Sequence, residues 1–181
     1  MLLNTPICDF GWQAPEFCLQ DPDGVSHAFT DYLGEQGLLV MFICNHCPYV
    51  KAIAERLVED VKTLQTAGIN VLAVMSNDYQ LKPEDNPVQM KQYAEKQGFT
   101  FPYLVDETQA VGKAYGAICT PDFFGLNKMG ALQYRGRIDD ALMGDPSHRT
   151  RELVDAMLQI ARTGKGPKDQ KSSMGCSIKW R

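Results

Sequence analysis

Two cysteines separated by two residues stand out in the stretch Ile43-Cys44-Asn45-His46-Cys47-Pro48. Thiol–disulfide exchange needs a thiolate nucleophile and a second thiol near enough to displace whatever the first has captured. A helix N-terminus offers partial positive charge and unpaired backbone N–H groups. Such surroundings lower a cysteine pKa from about 8.5 to about 3.5–7.5. The spacing puts Cys44 where that charge converges and lets Cys47 reach back to close a small disulfide. His46, when protonated, favours the thiolate further. The competing use of a close cysteine pair is structural zinc, which takes four ligands and usually a second pair. Cys8, Cys18, Cys119, Cys176, His27 and His148 are scattered along the chain. The pattern therefore favours redox exchange, with no metal and no cofactor.

The surrounding elements must hold this pair at a strand-to-helix junction. Gly37 leads into residues 38–43, an unbroken apolar run that predicts a strand buried on both faces. From Pro48, the residues Val50, Ile53, Leu57, Val61 and Leu64 recur every three or four positions, an amphipathic helix that Gly68 closes. Residues 71–75 predict the next strand, 87–98 a helix, 101–105 a strand and 108–115 a short helix. Residues 122–126 and 131–134 read as a hairpin, and a last helix is expected after Asp145-Pro146. Upstream, residues 17–19 and 25–29 flank Asp21-Pro22-Asp23-Gly24 as an N-terminal β-hairpin. The expectation is one α/β domain over residues 1–164, a central mixed sheet flanked by helices. Residues 165–181 form a C-terminal tail, polar through Ser173, whose apolar end carrying Cys176 and Trp180 should dock.

Composition bounds the partners. At 181 residues, 44% hydrophobic and 22% charged, the chain can bury a full core and lies outside the disordered regime. Eighteen basic against twenty-two acidic residues leave a charge of −4, with no positive surplus to release counterions from a nucleic acid. The longest apolar run falls well short of the roughly 18 to 20 residues of a membrane span. The start, Met-Leu-Leu-Asn-Thr-Pro, lacks the basic and apolar regions of a secretory signal. The expected location is cytoplasmic, where thiols are reduced by default, with neither nucleic acid nor membrane as partner.

A second feature is Cys119-Thr120-Pro121-Asp122, which opens the late hairpin. In its order of strand, cysteine pair, helix, strand, helix, proline and antiparallel hairpin, the chain resembles the thioredoxin superfamily. The resemblance implies a thioredoxin-like three-layer fold in which Pro121, preceded by Thr120, is a cis-proline facing the pair and shaping a groove for a partner's extended backbone. The stretches Phe42-Ile43-Cys44-Asn45-His46-Cys47-Pro48-Tyr49-Val50, Thr120-Pro121-Asp122-Phe123-Phe124-Gly125, Tyr134-Arg135-Gly136-Arg137-Ile138-Asp139-Asp140 and Gly175-Cys176-Ser177-Ile178-Lys179-Trp180 are similar to its peroxiredoxin-like redoxin branch, the alkyl hydroperoxide reductase and thiol-specific antioxidant relatives. That similarity implies Cys44 as the redox-active cysteine. Two departures are visible. Peroxiredoxins carry Pro and Thr seven and three residues before the peroxidatic cysteine; here those places hold Gly37 and Met41, or Val40 and Cys44 counted from Cys47. Thioredoxins carry a buried Asp six residues before the first cysteine, where this chain has Leu38.

The expected activity is thiol–disulfide exchange with a disulfide-containing protein or a small thiol, recharged by an external thiol reductant. In it Cys44 attacks, Cys47 resolves, His46 tunes, and Thr120 and Pro121 form the groove. A thiol peroxidase passing through a sulfenic acid on Cys44 and a non-catalytic redox-sensing module use the same residues. His46, Asp78, Asp106 and Glu107 are the candidate proton acceptors. Cys119 and Cys176 are candidates for additional redox thiols, while Cys8 and Cys18 read as packing. The charges at Arg135, Arg137, Asp139 and Asp140 read as a solvated rim, and His27 and His148 as surface residues.

Overall fold

The computed structural model describes residues 1–181. Its centre is the apolar run, which becomes strand β4 (Leu38–Phe42), buried at every position. Because successive side chains of a strand point to opposite faces, Leu39 and Met41 enter one core while Leu38, Val40 and Phe42 enter another. A strand must sit between two helical layers to need this. On one face lie α2 (Pro48–Thr66), α3 (Pro87–Gln97) and α5 (Glu152–Thr163), supplying Leu57, Met90 and Met157. On the other lie α1 (Phe29–Tyr32) and α4 (Ala110–Tyr115), supplying Phe29 and Tyr115.

Strand β4 pairs in parallel with β5 (Asn70–Met75) and antiparallel with β8 (Asp122–Leu126). With β2 (Cys18–Gln20), β3 (Ser26–Ala28), β6 (Tyr103–Val105) and β9 (Leu132–Tyr134), they form a seven-stranded mixed sheet in the order β3-β2-β6-β5-β4-β8-β9. This is the thioredoxin-like layered class that the element order implied, with the hairpin β2–β3 at one edge. No helix is long and apolar enough to cross a membrane.

A second, smaller sheet has no counterpart in the sequence reading. Strands β1 (Leu2–Asn4), β10 (Met174–Ser177) and β7 (Cys119–Thr120) run antiparallel in the order β1-β10-β7. The close approach of β10 to β7 depends on Gly175, where a Cβ would stand 1.8 Å from the Thr120 carbonyl oxygen. The polar stretch before it, read as a tail, is tied down: Thr5 N–H donates to the Ser173 carbonyl and Arg137 N–H to the Lys171 carbonyl.

Two further expectations change. Helix α5 begins at Glu152, several residues past Pro146, because the intervening residues are spent on ion pairs and a turn. Arg149 and Arg151 reach Asp60 on α2, and the Thr150 N–H donates to Asp140. The supposed solvated rim is largely interior. Asp139, fully buried, takes Arg56 and Arg149, and Arg135 forms a two-pronged pair with the buried Asp122. Arg137 pairs with Glu152, and Asp140 alone of the four remains exposed.

Candidate redox site

The chain leaves β4 at Phe42 and enters α2 at Pro48, so the cysteine pair occupies the turn between them. Proline suits the first helical position, since its missing N–H is one that the helix could not have paired. Cys47 is thereby the N-cap residue, so the helix terminus acts most directly on Cys47 rather than on Cys44 as the spacing suggested. Both cysteines have no solvent exposure.

Thr120 brings the two together. Its hydroxyl lies 3.3 Å from Cys44 Sγ, and its carbonyl oxygen accepts from the Cys47 thiol at 3.3 Å. The Thr120–Pro121 peptide bond is cis, and Pro121 borders an apolar cleft with Tyr49, Ile53, Phe123, Met143 and Met174.

The electrostatics of the two thiols diverge. The Cys44 thiol is pushed well up by its hydrogen bond to Cys47, by burial and by the charge of Asp85; the Thr120 hydroxyl opposes this. Cys47 is held well below the ordinary thiol range, first by the hydrogen bond from Cys44 and then, against burial, by the Cys176 thiol and the backbone N–H groups of Cys176 and Val50. The interaction between the two sulfurs thus drives their acidities apart, with Cys47 the more acidic of the pair. Cys119 is buried on β7 and pushed up to about 12 by burial and Asp122. Cys176, on β10, is partly exposed and pushed up to about 11, by burial and by its bond to Cys47.

His46 turns away from solvent toward Asp85, a fully buried carboxylate from the single 3-10 turn Pro83–Asp85. Asp85 Oδ1 accepts the N–H groups of Asn45 and His46, at 2.7 and 3.1 Å. Its Oδ2 accepts from His46 Nδ1 at 2.5 Å and from Asn77 Nδ2 at 2.9 Å. Four donors on the four lone-pair sites of a carboxylate make it an acceptor only, which places the imidazole proton on Nδ1. Asn77 continues the chain of bonds, taking the Lys179 N–H at 2.8 Å. Tyr103 and the Glu84 carbonyl fix the Asn45 side chain. Ligand atoms of Cys44, His46 and Asp85 lie within 4.8 Å of one another, a set of thiolate, imidazole and carboxylate that could face a metal. Here His46 and Asp85 are spent on each other.

Asp85 was missed as the acid of the site, since nothing local distinguishes an Asp between two prolines. The acids named instead are employed elsewhere. Asp106 accepts from Ser76 and the Gly112 N–H at the start of α4, while Asp78 and Glu107 hold Arg181. Tyr93 was not singled out either. Its buried hydroxyl has no partner, within electrostatic reach of both sulfurs. His27 is held between Asp21 and Tyr32, at the far edge of the sheet. His148 is exposed.

A family model described as the AhpC/TSA family matches residues 10–135, which include both cysteines of the pair, Thr120 and Pro121. The chain belongs to the AhpC/TSA family. Among curated relatives, this AhpC/TSA chain is similar to the thiol-disulfide oxidoreductase ResA of Geobacillus thermodenitrificans, 31% identical over 123 residues. That match covers 68% of this chain and 66% of ResA, so the chain spans just under two thirds of that relative. It is also 26% identical, over 72% of its length and 78% of the other, to a Mycobacterium tuberculosis protein with a provisional peroxiredoxin name. Among solved structures, an uncharacterized conserved protein from Geobacillus kaustophilus superposes with a TM-score of 0.93 at 40% identity, covering 100% of this chain and 97% of that one. A hypothetical protein from Sinorhizobium meliloti gives 0.90 at 36%, covering 98% and 97%. The thioredoxin domain of a thiol-disulfide oxidoreductase from Bacteroides vulgatus, at 15% identity, a TM-score of 0.65 and coverage of 84% and 97%, shares the fold. In this AhpC/TSA chain the family match ends at Arg135, leaving β1 and β10 outside it.

Proposed function

We propose that the chain is a thiol–disulfide oxidoreductase whose Cys44 and Cys47 cycle between dithiol and disulfide. The observation that carries this reading is the position of Thr120, with an acceptor for one thiol and a donor for the other sulfur. In the resting dithiol, Cys44 donates to the Cys47 thiolate. When a partner disulfide arrives, the shared proton passes to Cys47, whose thiol then donates to the Thr120 carbonyl. Cys44, now the thiolate, accepts from the Thr120 hydroxyl and attacks. Cys47 is thus its own pair's proton acceptor, a role needing neither Asp78, Asp106 nor Glu107. The bond formed is Cys44 to partner sulfur, and the partner's other sulfur leaves as a thiolate. Cys47 then gives its proton to the departing partner thiolate and, as a thiolate, attacks Cys44; the mixed disulfide breaks, the intramolecular one closes, and the partner's second sulfur leaves as a thiolate that solvent protonates. An external thiol returns the pair to the dithiol. The names of the ResA relatives agree with this chemistry, and the chain's lack of Pro and Thr before either cysteine weighs against peroxide activation.

Cys47→Ser tests the scheme. Incubated with a disulfide-bonded peptide, it is expected to accumulate a mixed disulfide on Cys44, mapped by non-reducing mass spectrometry, while the wild type turns the peptide over with an external thiol. Absence of the adduct, together with peroxide consumption by the wild type, would replace exchange by peroxidase chemistry.

A further inference from the structure

We propose that Cys176 is a third redox thiol, placed to take the disulfide over from the buried pair and present it to solvent. This rests on the reading that Cys44 and Cys47 form a disulfide, and extends it to a residue outside the family match.

Register and burial carry the inference. Strand β10 sets Cys176 opposite Thr120, the residue that touches both sulfurs of the pair. From there the Cys176 thiol and backbone N–H both face Cys47. The strand is pinned on either side of Cys176. Ser173 Oγ donates to the Pro121 carbonyl at 2.8 Å, and Lys179 N–H to Asn77 at 2.8 Å. Gly175 allows the backbones to close together, since any larger residue would strike the Thr120 carbonyl. Of the thiols grouped here, Cys44, Cys47 and Cys119 have no exposure, whereas Cys176 is partly open. A disulfide between Cys44 and Cys47 is shielded from an external reductant by β10 itself, and Cys176 is the sulfur through which that shield conducts.

The step is an exchange without net oxidation. Cys176 loses its proton and its sulfur attacks Cys47 Sγ. The Cys44–Cys47 bond breaks, a Cys47–Cys176 bond forms, and Cys44 leaves as a thiolate that takes up one proton. An external thiol then attacks Cys176 from the solvent side, forms a mixed disulfide there and releases Cys47. A second external thiol frees Cys176. Two external thiols are oxidised for each disulfide removed.

The test is disulfide mapping after oxidation with diamide, acid quench and alkylation. Wild type is expected to contain both Cys44–Cys47 and Cys47–Cys176 links, and Cys44→Ser mainly Cys47–Cys176. Cys176→Ser should hold Cys44–Cys47 alone, with reduction by dithiothreitol slowed about tenfold or more. Cys176 left alkylated in oxidised Cys44→Ser overturns the proposal. Wild-type labelling supplies a check independent of that variant's folding. Oxidation should slow maleimide modification of Cys176 about threefold or more, as a thiol held in a disulfide cannot react, and unchanged labelling again overturns it. A wild type that forms no Cys44–Cys47 link, yet still links Cys47 to Cys176, would instead remove the exchange scheme and with it the transfer, leaving Cys47 and Cys176 as the redox pair.

Discussion

His46 Nδ1 lies 2.5 Å from Asp85 Oδ2, so the imidazole between the two cysteines is committed to a buried carboxylate rather than to either sulfur. The sequence suggested His46 as a direct tuner of the thiolate. The geometry puts the negative charge of Asp85 next to Cys44 instead, where it opposes ionisation.

Asp85→Asn should therefore make the pair more oxidising. Removing the charge favours the Cys44 thiolate and with it the reduced form. A rise of about 20–45 mV in the potential is expected, from a change of order 1–2 kcal/mol, read in a glutathione redox titration. A potential that stays constant or falls would mean that the carboxylate is not felt by the sulfurs.

Thr120→Val preserves shape and deletes the hydroxyl near Cys44. Loss of a hydrogen bond to a charged sulfur costs about 1.5 kcal/mol, roughly a tenfold slower attack by Cys44. The pH–rate profile for exchange should also move to higher pH, because the hydroxyl lowers the Cys44 pKa. A slower rate with an unmoved profile would point to altered packing alone.

The stability of the reduced protein should rise with pH through the acid and neutral range. Cys47 ionises below the ordinary thiol range when folded, so over that window the unfolded chain binds the extra proton and stability grows with pH. Above the unfolded thiol pKa of about 8.5 the sign reverses, because folded Cys44 keeps a proton that the unfolded chain gives up. Urea titrations of wild type and Cys47→Ser at several pH values, under reducing conditions, check both slopes. Parallel curves for the two proteins would contradict the lowered value.

Asp139→Ala should be among the most damaging substitutions away from the site. It strips the partner from the buried Arg56 and weakens the hold on Arg149, and an uncompensated buried charge costs about 3–5 kcal/mol. Chemical denaturation gives the number directly. A loss below about 1 kcal/mol, the range of exposed pairs, would show that solvent reaches this cluster.

Gly175→Ala should lift β10 from β7, since the added Cβ would fall 1.8 Å from the Thr120 carbonyl oxygen. Alkylation of Cys44 and Cys47 is expected to speed up about tenfold or more, the mark of local opening rather than global unfolding. Equal labelling rates in both proteins would mean that the strand accommodates the methyl group.

The central strand, the helix after the pair and the late hairpin were legible because each carries its own periodicity or an uninterrupted apolar run. The small sheet was not. Strands of two to four residues are too short to alternate visibly, and Leu2 finds its partner in Cys176 only through the completed fold. Arg135 and Asp139 misled because burial of a charge depends on a partner elsewhere in the chain, Asp122 or Arg56, and composition cannot reveal it. The cysteine pair stands out from its spacing alone, whereas the surroundings of Cys44 include Thr120 and Asp85, both distant in sequence.

Thr5 N–H donates to the Ser173 carbonyl, Ser173 N–H donates back to the Thr5 hydroxyl, and the Ser173 hydroxyl reaches the Pro121 carbonyl. Contacts joining residues so far apart in sequence close nearly the whole chain into one loop, and such contacts come late in folding. A short three-stranded sheet held this way opens at a lower free energy than the seven-stranded one. The access of any reagent to the sulfurs is then a local breathing equilibrium, sensitive to temperature and mild denaturant long before the core melts.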